Sequence, residues 1–262
     1  MENMETMFDT GAATDVGKVR QRNEDSYLVR PEAGIWAVAD GMGGHEAGDL
    51  ASRIVIEELR SIESPESAAD LLERCEERIA AANVRLKEIG RQRGGAIVGA
   101  TVALLLARGD YYACVWAGDS RIYVVRDHKI VQLSQDHTEV EELLVKGVIT
   151  REEARAWNAG NALTRAIGAT DDVELEITSG PMVSGDAFVI CSDGLTRHVS
   201  DEEILLHVHD AVSQQACDRL VALTLERGAT DNVTLIVVRF QPELAPRVTS
   251  SGCEDPGAGG SA

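Results

Sequence analysis

The apolar pattern of this chain changes period once, and that change limits the folds open to it. From Ala47 to Ile89 hydrophobic residues recur at steps of three and four; from Ala96 onward they gather into short runs cut by Gly, Asp and Ser. Ala47, Leu50, Ala51, Ile54, Val55, Leu59 and Ile62 predict a first helix with one buried stripe. Ser64 as N-cap and Pro65 at the first helical position predict a second, along which Leu72, Cys75, Ile79, Ala82, Leu86 and Ile89 repeat. The runs Ala100–Ala107, Tyr111–Ala117, Arg121–Arg126 and Lys129–Leu133 predict an antiparallel meander. Its turns fall at Arg108-Gly109-Asp110, Gly118-Asp119-Ser120 and Asp127-His128. Thr138 with Glu141 is a capping-box pattern for a short helix, and Thr150 opens another through Trp157. Phe188–Ser192 and Val233–Phe240 read as strands, Asp201–His209 and Gln214–Arg227 as helices. Helices in two groups and strands in hairpins imply sheets covered by helix pairs, an α+β layered sandwich.

The ends differ from this middle. Residues 1–9 read as a flexible leader, and residues 242–262, rich in Pro, Gly and Ser, as a disordered tail. Residues 10–241 then form one domain, a size that needs no second core. The chain carries 25 Lys and Arg against 44 Asp and Glu, a formal charge of −19, which would repel a phosphate backbone and excludes nucleic acid as a partner. No apolar run approaches the ~18 residues of a membrane span, so no membrane partner is expected. Cys75, Cys114, Cys191, Cys217 and Cys253 are odd in number and form no C-x-x-C pair. A reducing cytoplasmic setting fits that usage.

Acidic residues recur beside glycine, or at turn-like positions after apolar strands: Glu24-Asp25, Asp40-Gly41, Gly118-Asp119, Asp193-Gly194 and Asp231-Asn232. Singly, each is an ordinary turn former. Jointly, they place carboxylates on one rim of a sandwich, where several cannot all stay ionised without a cation. Carboxylate, carbonyl and water oxygens suit hard ions such as Mg²⁺ or Mn²⁺, and the scattered His and Cys form no zinc pattern. Two such ions sharing a carboxylate would activate a water against a phosphate ester.

With these residues in view the chain resembles the metal-dependent protein phosphatases of type 2C, in their bacterial serine/threonine branch. The match runs in order through Val19-Arg20-Gln21-Arg22-Asn23-Glu24-Asp25-Ser26, Asp40-Gly41-Met42-Gly43-Gly44-His45, Gly99-Ala100-Thr101 and Ala117-Gly118-Asp119-Ser120-Arg121. It continues through Leu163-Thr164-Arg165-Ala166-Ile167-Gly168, Ser192-Asp193-Gly194-Leu195 and Thr230-Asp231-Asn232-Val233-Thr234. The resemblance implies a four-layer αββα sandwich of two antiparallel sheets flanked by helix pairs. It implies that Asp40 bridges two ions, that Asp193 and Asp231 complete the first site, and that Glu24 with the Gly41 carbonyl serves the second. Asp25 would act through water, and Asp119 with Asp193 would hold the third ion that bacterial members often bind. Arg20 matches the arginine that holds the substrate phosphate, a role suited to its planar fork. The cofactor implied is Mn²⁺ or Mg²⁺, the substrates are phosphoserine and phosphothreonine proteins, and a serine/threonine kinase would write the signal removed. The chain is expected to act as a monomer.

Three features stand apart from the match. Many eukaryotic members have a histidine where this chain has Met42, and a thioether cannot donate a proton to a leaving alkoxide. Water on the metals is the first alternative acid and His137 the second, although His137 could equally order the loop before its helix cap. In the flap, about residues 140–160, Trp157, Asn158 and Gly160 replace a His-Pro and an Arg usual in bacterial members, which predicts an altered substrate preference. Finally, Cys191 to Arg197 has the C-x5-R spacing of cysteine phosphatases, but Asp193 would put negative charge inside the anion cradle, so Cys191 reads as a small buried residue. A catalytically weak member that only binds phosphoproteins is the other class of function considered, and the complete acid set argues against it.

Overall fold

The central strands are apolar at nearly every position, and a strand without alternation needs cover on both faces. The computed structural model, which describes residues 7–43, 47–63, 65–155 and 162–242, supplies it with four layers. One sheet runs in the order β1 (Phe8–Asp15), β11 (Val233–Phe240), β10 (Ala187–Cys191), β7 (Arg121–Arg126), β8 (Lys129–Gln132). The other runs β2 (Asp25–Arg30), β3 (Ile35–Met42), β5 (Val102–Arg108), β6 (Tyr111–Ala117), β9 (Glu176–Pro181), with β4 (Gly99–Ala100) pairing the end of β3. Every pairing is antiparallel.

Side-chain alternation divides the core into three slabs. Ile35, Ala37, Leu104 and Leu106 face helices α1 (Ala47–Arg60) and α2 (Ala68–Gln92), meeting Val55, Leu59, Ile79 and Leu86. Val233, Leu235 and Val237 face α6 (Asp201–Val208) and α7 (Ser213–Glu226), meeting Ile204 and Leu220. Their neighbours Trp36, Val38, Leu105, Phe188, Ile190, Ile236 and Val238 fill the space between the sheets. The expected αββα order is therefore observed.

Several sequence expectations need correction. The folded part includes residues expected in the leader: Met7 and Phe8 are buried, and Phe8 pairs with Phe240 in β1, its ring closing the end of the inter-sheet slab against Trp36. The cap of α2 is Ser67, whose side chain accepts from Asp70 N–H, and Ser64 lies outside the described residues. The meander is not continuous. β5 and β6 belong to one sheet and β7 and β8 to the other, so Gly118-Asp119-Ser120 crosses between sheets rather than turning a hairpin. The flap contains α3 (Glu139–Val145), capped by Thr138, and α4 (Arg151–Arg155). Trp157, Asn158, Gly160, Gly44, His45 and residues 243–262 lie outside the described residues. Among the described residues no helix is long and apolar enough to cross a membrane.

Candidate metal centre

The inter-sheet slab changes from apolar to polar at one end, and alternation places the change. Trp36 and Val38 lead to Asp40 on β3, Phe188 and Ile190 lead to Ser192 beyond β10, and Val238 and Ile236 lead back to Thr234 on β11. Leu105 and Ala103 lead to Thr101, and Val124 and Ile122 lead to Ser120. The hydroxyls of these residues form a shell under the acids. Thr101 Oγ1 meets Ser120 Oγ at 2.7 Å and accepts Asp40 N–H at 3.0 Å. Ser192 Oγ donates to Asp25 Oδ2 at 2.8 Å and accepts Thr234 N–H at 3.0 Å.

Above the shell stand the carboxylates. Asp25 and Asp40 are direct partners across β2 and β3, so their side chains leave the same face, an arrangement that costs energy between like charges. Burial raises the Asp25 carboxyl to about 7, with Asp193 and Asp231 adding to the shift against hydrogen bonds that lower it. Asp40 is held well above the ordinary range, first by burial and then by Asp25, Asp193, Asp119 and Asp231. Asp119 is likewise raised to about 7, by burial and then by Asp193. Burial also raises Asp193, with Arg197 opposing. Four acids thus resist ionisation because they share one poorly hydrated rim.

The fit to hard cations rests on orphaned oxygens. Among the described residues Asp25 Oδ1 and Asp193 Oδ1 are buried and accept no hydrogen bond, a costly state for an anion unless a cation faces it. Glu24 and the Gly41 carbonyl converge on Gly48 in the first turn of α1: a Cβ placed there would lie 2.5 Å from Glu24 Oε1 and 2.7 Å from Gly41 O. The donors gathered are all oxygens, as Mg²⁺ or Mn²⁺ prefers. Among the described residues no three His, Cys, Asp or Glu side chains stand close enough together to hold an ion as they are placed here. Two of the carboxylates are paired with arginines: Arg20 Nη2 donates to Asp231 Oδ2 at 2.8 Å, and Arg197 binds Asp193 Oδ2.

Asn232 joins the loops that carry these acids. Its Oδ1 accepts Glu24 N–H at 2.8 Å while its Nδ2 donates to Val16 O and Arg22 O at 2.9 and 2.8 Å. Gly118 adopts φ +114° beside Thr101, and a Cβ there would lie 2.5 Å from the Thr101 methyl, which explains the glycine before Asp119. Asn232, Thr101, Ser192 and Gly48 were not singled out as site residues from the sequence. Asn232, Thr101 and Ser192 each sit inside a segment that matches the family resemblance, which was the available signal; Gly48 carried none.

The contacts of His137 are those of a residue that orders a loop. The ring is buried; its Nδ1 accepts Gly118 N–H at 3.1 Å, while the backbone N–H of His137 donates to Gly118 O at 3.0 Å. Nε2 lies 3.3 Å from Glu176 Oε1 and 3.3 Å from Arg165 Nη1. Burial, then Arg165, pulls its pKa below the ordinary value, the wrong direction for a proton donor. Cys191 is fully buried and burial pushes its thiol up to about 12, so the C-x5-R match carries no thiolate. A cavity of about 300 Å³ opens beside the acids, between Asp119, Asp193 and Arg197 on one side and Val140 and Ala154 of the flap on the other.

The family model described as protein phosphatase 2C matches residues 17–227. The chain belongs to the protein phosphatase 2C family. All seven acid-bearing or carbonyl positions of the rim fall within the matched span or directly after it, Asp231 being four residues beyond. The chain is 37% identical over 253 residues to the serine/threonine protein phosphatase PstP of Mycobacterium tuberculosis, covering 93% of this chain and 48% of that protein. It therefore spans about half the length of that relative. It is 31% identical over 240 residues to the protein phosphatase PhpP of Streptococcus pneumoniae, covering 88% and 97%. Among solved structures it is similar to the catalytic domain of the serine/threonine phosphatase PstP in complex with two manganese ions, with TM-score 0.81, 35% identity and coverage of 90% and 99%. The phosphatase 2C fold seen in that relative thus extends across nearly all the described chain.

Proposed function

We propose that this chain is a metal-dependent serine/threonine protein phosphatase that hydrolyses phosphoserine and phosphothreonine without a covalent intermediate. The observation that carries the reading is the pair of buried, unpartnered oxygens, Asp25 Oδ1 and Asp193 Oδ1, within a group of acids that burial makes harder to ionise. Asp40, Asp193 and Asp231 would hold one ion, Asp40 with Glu24 and the Gly41 carbonyl a second, and Asp25 would support them through water. Asp119 stands beside Asp193 at the same cavity, outside these two positions. Two Mn²⁺ or Mg²⁺ ions would supply Lewis acidity and an activated water for in-line attack on phosphorus.

The remaining chemistry belongs to the chain. Arg20, half exposed and aimed at Asp231, can turn its fork to a phosphate once a cation neutralises that carboxylate. The hydroxyl shell and Asn232 fix the acids before substrate arrives, so little reorganisation accompanies the reaction. Met42 offers no proton and His137 is committed elsewhere, so water must protonate the leaving alkoxide. The four buried free cysteines, Cys75, Cys114, Cys191 and Cys217, suit a reducing cytoplasm. The names of the relatives support phosphoproteins as substrates, which implies a serine/threonine kinase upstream, and we take the working unit to be a monomer.

Hydrolysis of a phosphothreonine peptide with and without Mn²⁺, by the full chain and by Asp193→Ala, tests the proposal. Mn²⁺-dependent release of phosphate, reduced at least about a hundredfold in the variant, is the expected result. Peptide binding without release in the full chain would replace the enzyme by a phosphoprotein-binding module.

A further inference from the structure

Asp193 divides its two oxygens between unlike neighbours. Oδ1 is buried and bare, whereas Oδ2 accepts Arg197 Nε–H at 2.8 Å and also an Nη2–H of the same guanidinium. Both donors reach one oxygen, so the arginine saturates that lobe and leaves the other open. The pairing is built into the local backbone. Arg197 is the C-cap of α5 (Asp193–Thr196), four residues after Asp193, and its backbone N–H donates to Asp193 O at 2.9 Å.

The surroundings give this ion pair its meaning. Arg197 lines the same cavity as Asp119 and Asp193, with Arg121 and Asp136 completing its charged wall. Arg121 is already committed to Asp136, through Nε at 2.9 Å and Nη2 at 2.7 Å. Among the described residues that line the cavity, Arg197 is thus the cation bound to Asp193 beside Asp119. Its side chain is 50% exposed against 12% for Asp193, so it reaches inward from solvent to cover a buried acid.

We propose that Arg197 is a built-in counter-cation that occupies the Asp193 Oδ2 lobe and limits the centre to two divalent ions, excluding a third from between Asp119 and Asp193. The inference rests on the metal-dependent reading above. Arg197 touches neither the phosphate nor an ion in this scheme; it is a positioning residue that acts through Asp193. A cation at Asp193 Oδ2 would meet a guanidinium already there, and the two positive charges compete for one oxygen.

The test is Mn²⁺ binding to chelator-treated full chain, followed by equilibrium dialysis and by the electron paramagnetic resonance of free Mn²⁺. Wild type is expected to bind two ions over the range in which Arg197→Ala binds three, the third step tightened about tenfold or more. Arg197→Lys keeps the charge and should stay near wild type, which separates charge from packing. Adding Asp119→Ala to Arg197→Ala should abolish the gained site. An unchanged isotherm for Arg197→Ala overturns the proposal, as does a gained site that survives loss of Asp119 or a wild type that already binds three. Failure of wild type to bind Mn²⁺ and to hydrolyse the phosphothreonine peptide would overturn the metal reading itself, and this proposal with it.

Discussion

A histidine whose two ring nitrogens are both engaged serves geometry better than proton transfer. His137 grips Gly118 from both sides, its backbone N–H donating to the Gly118 carbonyl and its Nδ1 accepting the Gly118 N–H, and thereby sets the turn that presents Asp119. Replacing it by alanine leaves the Gly118 N–H without a partner in a buried site, which should cost about 1–3 kcal/mol of stability. Chemical denaturation of His137→Ala reads that loss. Its effect on turnover should be equal for aryl and alkyl phosphates, because the two differ in their need for an acid at the leaving oxygen and a residue that only orders the loop supplies none. A selective loss on alkyl phosphates would return His137 to the proton-transfer scheme.

At the scale of elements, the centre depends on how closely α1 approaches the end of β3. Gly48 in the first turn of α1 leaves just the space that Glu24 Oε1 and the Gly41 carbonyl use. Alanine is the better helix former by about 1 kcal/mol, so helix propensity alone predicts a gain from Gly48→Ala. Packing predicts the reverse for function, since the added methyl would displace both oxygens. The expected outcome is a nearly unchanged melting temperature with about a tenfold higher Mn²⁺ concentration for half-maximal peptide hydrolysis. An unchanged Mn²⁺ requirement would remove Glu24 and the Gly41 carbonyl from the ligand set. The same logic explains why β6 and β7 lie in different sheets. Gly118-Asp119-Ser120 is a bridge between layers, and a bridge at that end delivers an acid to the rim where a hairpin would have kept it within one sheet.

Across the whole molecule, the rim concentrates repulsion that the three-slab core must withstand. Asp25 and Asp119 hold their protons to about 7 in the folded chain, whereas in the unfolded chain they lose them near 3.8. Folded pKa values above the unfolded ones mean that the stabilising contribution is complete below about 4 and disappears as pH rises through about 7. Metal-free protein should therefore melt at a lower temperature at about pH 8 than at about pH 5, by roughly 5 °C or more. Added Mn²⁺ should reverse the order, because ions bind the ionised acids of the folded state. Scanning fluorimetry in chelator and in Mn²⁺ measures both. A metal-free protein that is most stable at the alkaline end would show that the acids are not coupled in the way their burial implies.

Much of the molecule was legible in one dimension. Helical spacing marked α1, α2 and α7, strand runs marked β5, β6, β7, β10 and β11, and the acids next to glycine or in turns marked the rim, because periodicity and turn chemistry are local properties. The strands β1, β2, β3 and β9 were not assigned. β9 alternates at a sheet edge with little apolar content, and β1 mixes Gly, Ala, Thr and Asp, so neither carries a strong local signal. What the order of residues determined was which side chains are available: seven oxygen-bearing positions of the right chemistry, at the ends of strands. What tertiary structure alone decided was their state. Facing Asp25 against Asp40, splitting β6 from β7, burying His137 and giving Asp193 Oδ2 to Arg197 all depend on which distant segments meet. Charge and hydration are set by neighbours in space, and no spacing along the chain records them.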